Sequence, residues 1–146
     1  MFSLDTIMST DLITTRADAS LAEARSLMRS NNIHHLPVVN EGGALVGLLT
    51  QTNVLAATDS ILRDQENRLD ENEILVEDIM VTKIATVDCD ASLRDAALFL
   101  ERHRIGCLPV LRRGRLVGII TDTDFVGIAI NLLEQLEAAE PWGEED

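Results

Sequence analysis

The chain has 146 residues, 46% of them hydrophobic, which is enough for the core of one compact domain or two small ones. Its formal net charge of −13 argues against a protein that binds DNA or RNA through the phosphate backbone. No apolar run approaches the roughly 20 residues of a membrane span, and the N-terminus lacks the features of a secretory signal. We therefore expect a cytoplasmic protein that binds neither nucleic acid nor membrane.

The first predicted elements are an extended segment at residues 12–15 and a helix that begins after Ser20. Ser20 and Glu23 form the pattern of a capping box, in which the serine oxygen accepts from the third helical amide and the glutamate reaches back. Apolar residues at helical spacing predict that this helix lays one face on a sheet: Leu21, Ala24, Leu27 and Met28.

A β-hairpin and a second helix are predicted next. Two apolar segments, at residues 36–39 and 45–49, flank the turn residues Gly42 and Gly43. The second segment is apolar at nearly every position, so we expect both of its faces to be covered. A helix is predicted from Thr50, and the polar, acidic residues 59–77 predict a surface linker that is partly helical.

The second half of the chain repeats the first. At an offset of 72 positions, Ile7-Met8 recurs as Ile79-Met80 and Leu36-Pro37-Val38 as Leu108-Pro109-Val110. After one deletion in the turn the offset is 71, and Thr50-Gln51-Thr52-Asn53 matches Thr121-Asp122-Thr123-Asp124. The sequence therefore predicts a layered α/β fold made of two β-α-β-β-α units. Their predicted bounds are 1–58 and 78–139, with an acidic linker at 59–77 and an acidic tail at 140–146.

The last predicted helix is apolar almost all round, from Phe125 to Leu136. A helix of this kind needs a cover, since a surface helix normally keeps one polar face. Packing within the chain is one explanation. The explanation that we favour is that the helix also packs against a second copy, which predicts a homodimer.

These repeated motifs resemble the cystathionine-β-synthase (CBS) domain family over nearly the whole chain. The resemblance rests on Asp78-Ile79-Met80, on the Leu-Pro-Val cores, and on the endings Gly47 to Asn53 and Gly118 to Asp124, which match a Gly-x-x-Thr/Ser-x-x-Asp/Asn signature. It implies two repeats paired about a pseudo-twofold axis that leaves two clefts. It also implies a regulatory module that binds AMP, ADP, ATP or an S-adenosyl compound, with or without Mg²⁺, and signals to a separate effector protein.

The start of the last helix supports an anionic ligand on physical grounds. A buried strand that runs into a helix brings free amides and the positive end of the helix dipole to one place. The Thr121 hydroxyl can donate to a phosphate oxygen there, and Asp124, one turn on, can accept from both ribose hydroxyls. The alternative is that Thr-x-x-Asp is only a helix cap.

The resemblance implies a ligand site in each repeat, and we expect the two sites to differ. Asn53 offers one acceptor oxygen where Asp124 offers two, so the first-repeat site is predicted to bind ribose more weakly. His34 and His35 stand at the positions of Gly106 and Cys107, either as phosphate contacts or as an ordinary strand entrance. The second-repeat site is predicted at Thr86, Val87, Ile105, Gly106, Leu108, Pro109, Thr121 and Asp124, and the weaker first-repeat site at Thr14, His34, His35, Pro37, Thr50 and Asn53.

Two other functions fit the sequence less well. An enzyme is not expected, because adjacent histidines in a strand point to opposite faces and no known catalytic motif occurs. Cys89 and Cys107 have neither disulfide nor zinc spacing, so no metal site is predicted. The closer alternative is a structural homodimerisation module with no nucleotide ligand.

Overall fold

The computed structural model describes residues 3–63 and 70–139. A short 3₁₀ turn at Leu4–Thr6 precedes the regular elements. These are, in chain order, α1 Leu21–Ser30, β1 His35–Val39, β2 Leu45–Thr50, α2 Gln51–Arg63, α3 Val76–Ile79, β3 Val87–Asp88, α4 Leu93–His103, β4 Cys107–Arg112, β5 Arg115–Thr121 and α5 Asp122–Ala139. The predicted α/β fold class is confirmed, and in each repeat a helix is followed by a β-hairpin and a second helix.

The two helices α1 and α4 begin as the sequence predicts. Ser20 accepts a hydrogen bond from the Glu23 amide at 3.1 Å, and Ser92 accepts one from the Asp95 amide at 3.0 Å. These bonds satisfy amides that the first helical turn leaves without partners. The face of α1 that carries Leu21, Ala24 and Met28 is buried on the sheet, as its spacing predicts.

Both predicted hairpins are present, with β1 antiparallel to β2 and β4 antiparallel to β5. The second hairpin turns through Arg113 and Gly114, which have φ angles of 53° and 78°. Two consecutive residues with positive φ make the type I′ turn that matches the twist of a hairpin. In the first repeat the longer turn is held by Asn40, whose side-chain oxygen accepts from the amides of Gly42 and Ala44, each at 3.0 Å.

The extended segments before α1 and α4 pair over fewer residues than the sequence suggests. β3 is limited to Val87–Asp88, which lie parallel to β4, and in the first repeat only Thr15 bridges to Val38. Ile84 and Ala85 lie outside the sheet, and both line a cavity between the repeats.

The opening segment of each repeat packs on the other repeat. Leu4 is fully buried in the core of the second repeat, whereas Val76 is fully buried in the core of the first. Paired backbone hydrogen bonds join Ser9 to Ile119 at 3.0 and 3.1 Å and Val81 to Leu48 at 2.9 Å each. The predicted bounds 1–58 and 78–139 remain a description of the sequence repeat, because the packing crosses them.

Two glycines let these exchanged segments approach the strands. A Cβ atom on Gly118 would overlap the side chain of Met8, and one on Gly47 would overlap Met80. The repeated Ile-Met and Gly motifs of the sequence thus meet in space, each methionine lying across a strand of the other repeat. This crossed packing ties the two repeats into one unit.

The last helix, α5, has no buried residue in the single chain. Its strongly exposed apolar side chains are Val126, Ile130, Leu132, Leu133 and Leu136. In the described part of the chain, no helix has the length and apolar character that crossing a membrane requires. α2 extends into the predicted linker 59–77 as far as Arg63, while residues 64–69 and the predicted tail 140–146 lie outside the described residues.

Candidate functional site

Two cavities lie where the repeats meet. Cleft A has a volume of about 660 Å³ and is lined by Ser9, Asn32, Ile33, His34, His35, Gly106, Ile119, Thr121, Asp122, Thr123 and Asp124. Cleft B has a volume of about 430 Å³ and is lined by His35, Leu48, Thr50, Val81, Lys83, Ile84, Ala85, Phe99, His103, Ile105, Gly106 and Cys107. Their sizes fall within the range of small-molecule sites.

Each cleft is built from both repeats, because the opening segments are exchanged. Ser9 and Ile119, which are bonded across the exchange, both line cleft A. Val81 and Leu48 are bonded in the same way and line cleft B. A ligand in either cleft would therefore contact both halves of the molecule.

The structure divides the predicted site residues between the two clefts differently from the grouping by repeat. Thr121, Asp124 and Gly106 line cleft A together with His34 and His35 of the first repeat. Thr50 faces Ile105, Gly106 and Cys107 of the second repeat in cleft B. The sequence could not show this. An internal repeat reveals which motifs are equivalent, but it does not reveal which motif of one repeat lies beside which motif of the other.

Several predicted residues line neither cleft. Leu108 and Pro109 are fully buried and Pro37 is buried, so their side chains belong to the core. The Leu-Pro-Val motif thus marks a packed strand. The other predicted residues absent from the two linings are Thr14, Asn53, Thr86 and Val87, of which Thr86 is exposed and the others are half-buried.

The Thr-x-x-Asp ending in cleft A is a reciprocal helix cap that keeps groups available for a ligand. The Thr121 amide donates to Asp124 Oδ2 at 2.8 Å, and the Asp124 amide donates to Thr121 Oγ1 at 3.4 Å. Within the described residues, the structure gives no hydrogen-bond donor for Asp124 Oδ1 and no acceptor for the Thr121 hydroxyl proton. One carboxylate can therefore serve both roles, with Oδ2 of Asp124 in the cap and Oδ1 as the predicted ribose acceptor.

The matching ending at Thr50 differs in the groups that it leaves available. Asn53 Oδ1 accepts both from the Thr50 amide at 3.1 Å and from the Thr50 hydroxyl at 2.7 Å. Because a backbone amide can only donate, the atom of Asn53 that faces it must be the oxygen. The amide NH₂ of Asn53 is then left for other partners, so this ending offers donors where the Asp124 ending offers an acceptor.

The two clefts share His35 and Gly106 at the centre of the molecule. His35 Nε2 lies 3.6 Å from the position that a Cβ atom on Gly106 would take. Burial lowers the pKa of His35 below 6.5, and the charge of Asp122 opposes this in part. Burial, together with the negative charges of Asp122 and Asp124, raises the pKa of Cys107 to about 12. Both side chains are therefore uncharged at neutral pH.

The residues of cleft B that sequence reasoning missed include three large polar or aromatic side chains. Lys83 lines the cleft, together with Phe99 and His103, whose rings are stacked with centroids 4.1 Å apart. The two rings come from positions i and i+4 of α4, a spacing that places them on one face of the helix. Lys83 had a signal in the sequence, since it is the single lysine of the chain and precedes a segment expected at the cleft.

One group of metal-ligand types lies away from the clefts. In the described ranges 3–63 and 70–139, ligand atoms of Asp88, Cys89 and Asp90 lie within 4.8 Å of one another. Both aspartates are exposed, and Arg112 Nε donates to Cys89 Sγ at 3.4 Å. Exposed acidic groups of this kind are common on protein surfaces, so the absence of a metal site stays a prediction.

A protein-family model described as the CBS domain matches the chain twice, at residues 4–60 and 76–131. A CBS domain-containing protein of Dictyostelium discoideum is 34% identical over 132 residues, which is 88% of this chain and 91% of that protein. Several other relatives are longer, and this chain spans 40% or less of their length.

Solved structures show the same fold. A protein assigned to acetoin utilization (AcuB) from Vibrio cholerae has a TM-score of 0.80 and 37% identity, with 97% of this chain and 99% of that chain covered. The CBS domain pair of protein MJ0100, solved with 5′-methylthioadenosine and S-adenosyl-L-methionine, has a TM-score of 0.77 and 27% identity, with 90% and 98% covered.

Proposed function

Because this chain belongs to the CBS-domain family and is a pair of CBS domains, we propose that it is a regulatory module that binds an adenine nucleotide or S-adenosyl compound in the clefts between its repeats. The observation that carries the proposal is the ending in cleft A. Thr121 and Asp124 cap α5 and still offer a hydroxyl donor and a carboxylate oxygen to a cavity of about 660 Å³. A donor and an acceptor side by side suit the ribose of a nucleoside and a polar group at its 5′ position.

The relatives support the choice of ligand. The CBS pair of MJ0100 was solved with two adenosine compounds, 5′-methylthioadenosine and S-adenosyl-L-methionine. Cleft B offers apolar walls for a purine ring, such as Leu48, Ile84 and Phe99. Apolar lining with a few placed polar groups is the usual composition of a small-molecule site.

The proposed mechanism depends on the fact that residues of both repeats line each cleft. A ligand that contacts the two halves favours the arrangement of the repeats in which it binds best, and only this difference in affinity can move the equilibrium. A separate effector protein reads the change. We propose no catalytic step for this chain.

We also propose that the module is a homodimer built on α5. The exposed fractions of Val126, Leu133 and Leu136 are 57%, 58% and 62% in the single chain. A contiguous row of exposed apolar side chains of this kind marks an interface in soluble proteins.

The test of ligand binding uses Asp124→Asn. An asparagine at this position keeps the cap, as Asn53 does, but replaces the acceptor oxygen by a donor NH₂. We expect calorimetry to give micromolar binding of at least one among 5′-methylthioadenosine, S-adenosylmethionine and AMP, the last with and without Mg²⁺. The ligand held by Asp124 is expected to bind at least about tenfold more weakly to the variant, a loss of about 1.4 kcal/mol.

The matched control is Asp59→Asn on α2, which removes the same charge from an exposed side chain that lines neither cleft. It is expected to leave the affinity unchanged. The melting temperature of each unliganded variant is expected to stay near that of the wild type. If none of the three compounds binds to the wild type, the structural dimerisation module becomes the better explanation.

A further inference from the structure

Equivalent positions of the two repeats differ in charge around the clefts. At the offset of 71, Gln51 corresponds to Asp122 and Asn53 to Asp124, so two amides in the first repeat stand where the second has carboxylates. At the offset of 72, Lys83 corresponds to Asp11, since 83 − 72 = 11. In each of the three pairs, the more negative residue belongs to a segment that contributes to cleft A, either the start of α5 or the opening segment around Ser9.

The structure places Asp122, Asp124 and Lys83 in the cleft linings, whereas Gln51, Asn53 and Asp11 line neither cleft. Asp122 and Asp124 line cleft A, and Asp11 follows two residues after Ser9, which lines the same cleft. Lys83 lines cleft B. No carboxylate is among the described residues that line cleft B, whose groups capable of positive charge are Lys83, His103 and the shared His35.

The histidines of cleft A do not reverse this difference. His35 lies between the clefts and lines both, so it does not favour one over the other. Its ring is uncharged at neutral pH because burial lowers its pKa. His34 is exposed at the rim, whereas Asp124 is half-buried, where its charge is screened less by water.

Hydrogen-bond directions at the two helix starts follow the same division. The Asn53 ending uses both its side-chain oxygen and the Thr50 hydroxyl in the cap and keeps only the Asn53 NH₂, while the Asp124 ending keeps a carboxylate oxygen as an acceptor beside the Thr121 hydroxyl. Donors and an ammonium group suit phosphate oxygens. Acceptors suit ribose hydroxyls and cationic groups, and a partly buried carboxylate repels a phosphate more strongly than a fully solvated one does.

Resting on the function proposed above, we propose that the two clefts select adenosine ligands of opposite charge. Cleft B binds a phosphorylated adenine nucleotide, with Lys83 contacting the phosphate. Cleft A binds an adenosine compound without phosphate, either uncharged or cationic at the 5′ position. One module then responds to two classes of adenosine metabolite, and its two sites can be filled together.

The test compares two probes by calorimetry, AMP as the anion and S-adenosylmethionine as the sulfonium cation, on the full chain. Lys83→Gln is expected to weaken AMP at least tenfold and to change the affinity of S-adenosylmethionine less than twofold. Asp122→Gln, which copies the residue of the first repeat, is expected to weaken S-adenosylmethionine at least threefold and to leave AMP unchanged or bound more tightly. AMP is expected to bind at full stoichiometry in the presence of saturating S-adenosylmethionine.

The matched control is Arg94→Gln, which removes one positive charge from an exposed side chain that lines neither cleft. It separates the effect of Lys83 from the effect of net charge and is expected to change neither affinity by more than twofold. Competition between the two probes for one site, or AMP binding that is insensitive to Lys83→Gln, would overturn charge selection and leave the proposed function standing. Failure of both probes and of adenosine to bind the wild type would overturn both.

Discussion

The endings Thr121 to Asp124 and Thr50 to Asn53 lie at equivalent positions of the two repeats. They differ in one side-chain group, because Asp124 has a second oxygen where Asn53 has an NH₂. Both are helix caps, which the sequence suggested as the alternative to a site. The structure shows why the two explanations do not compete in cleft A: one oxygen of Asp124 serves the cap and the other is available. The sequence ranked the aspartate above the asparagine as a ribose acceptor, and this ranking stays a prediction. It could not show that the only acceptor oxygen of Asn53 is used within the cap.

His35 makes the stability of the protein depend on pH. Burial lowers its pKa below the unfolded value of 6.5, so the unfolded chain binds a proton in a pH range where the folded chain does not. Stability is then fully present above pH 6.5 and falls as the pH drops below it. The groups that act electrostatically on His35 are Asp122, which raises its pKa, and His34, which lowers it.

We therefore expect the free energy of unfolding of the wild type to fall more between pH 7.5 and pH 5.5 than that of His35→Gln. Urea titrations at the two pH values measure this difference, in which the contributions of carboxylates common to both proteins cancel. An equal fall in both proteins would mean that His35 titrates in the folded state as it does in the unfolded chain.

At the scale of elements, the exchanged opening segments decide the shape of the clefts. The sequence predicted the helices, the hairpins and their caps, because each depends on residues that are close in the chain. It placed Ile7-Met8 with the first repeat and Ile79-Met80 with the second. Which copy of a repeated segment packs on which core depends on the path of the connections, and a sequence repeat carries no information about that path.

Gly118→Ala tests the exchanged contact with Met8. The added Cβ would overlap the Met8 side chain, so we expect a loss of about 1–3 kcal/mol in the free energy of unfolding. Gly127→Ala is the matched control, since a Cβ there meets no atom within 4 Å and the residue lies inside α5. It is expected to stabilise the helix by about 0.5–1 kcal/mol. Equal stabilities of the two variants by chemical denaturation would contradict the close approach.

For the whole molecule, the sequence predicted both the apolar character of α5 and its need for a cover. The structure confirms the exposure of Val126, Ile130 and Leu133 in the single chain. Packing within the chain does not cover them in the described residues, which leaves a second copy as the cover that we propose. A symmetric dimer buries the same row of side chains from both chains.

The dimer is tested by Ile130→Glu combined with Leu133→Glu, which places two charges in this row. Sedimentation velocity is expected to give a species of twice 16.1 kDa for the wild type and a monomer for the double variant. Asn131→Glu with Gln135→Glu adds the same charge on exposed polar positions of α5 and is expected to remain dimeric. A wild type that is monomeric at micromolar concentration would contradict the dimer and leave the proposal for the clefts untouched.

The most direct test of the central claim, that the clefts between the repeats hold adenosine ligands, is a crystal structure of the protein grown with excess AMP and 5′-methylthioadenosine. We predict electron density for a nucleoside in the clefts, with a ribose hydroxyl within hydrogen-bond distance of Asp124 Oδ1 in cleft A. Well-ordered crystals in which both clefts contain only solvent, at ligand concentrations far above the micromolar range, would contradict the claim.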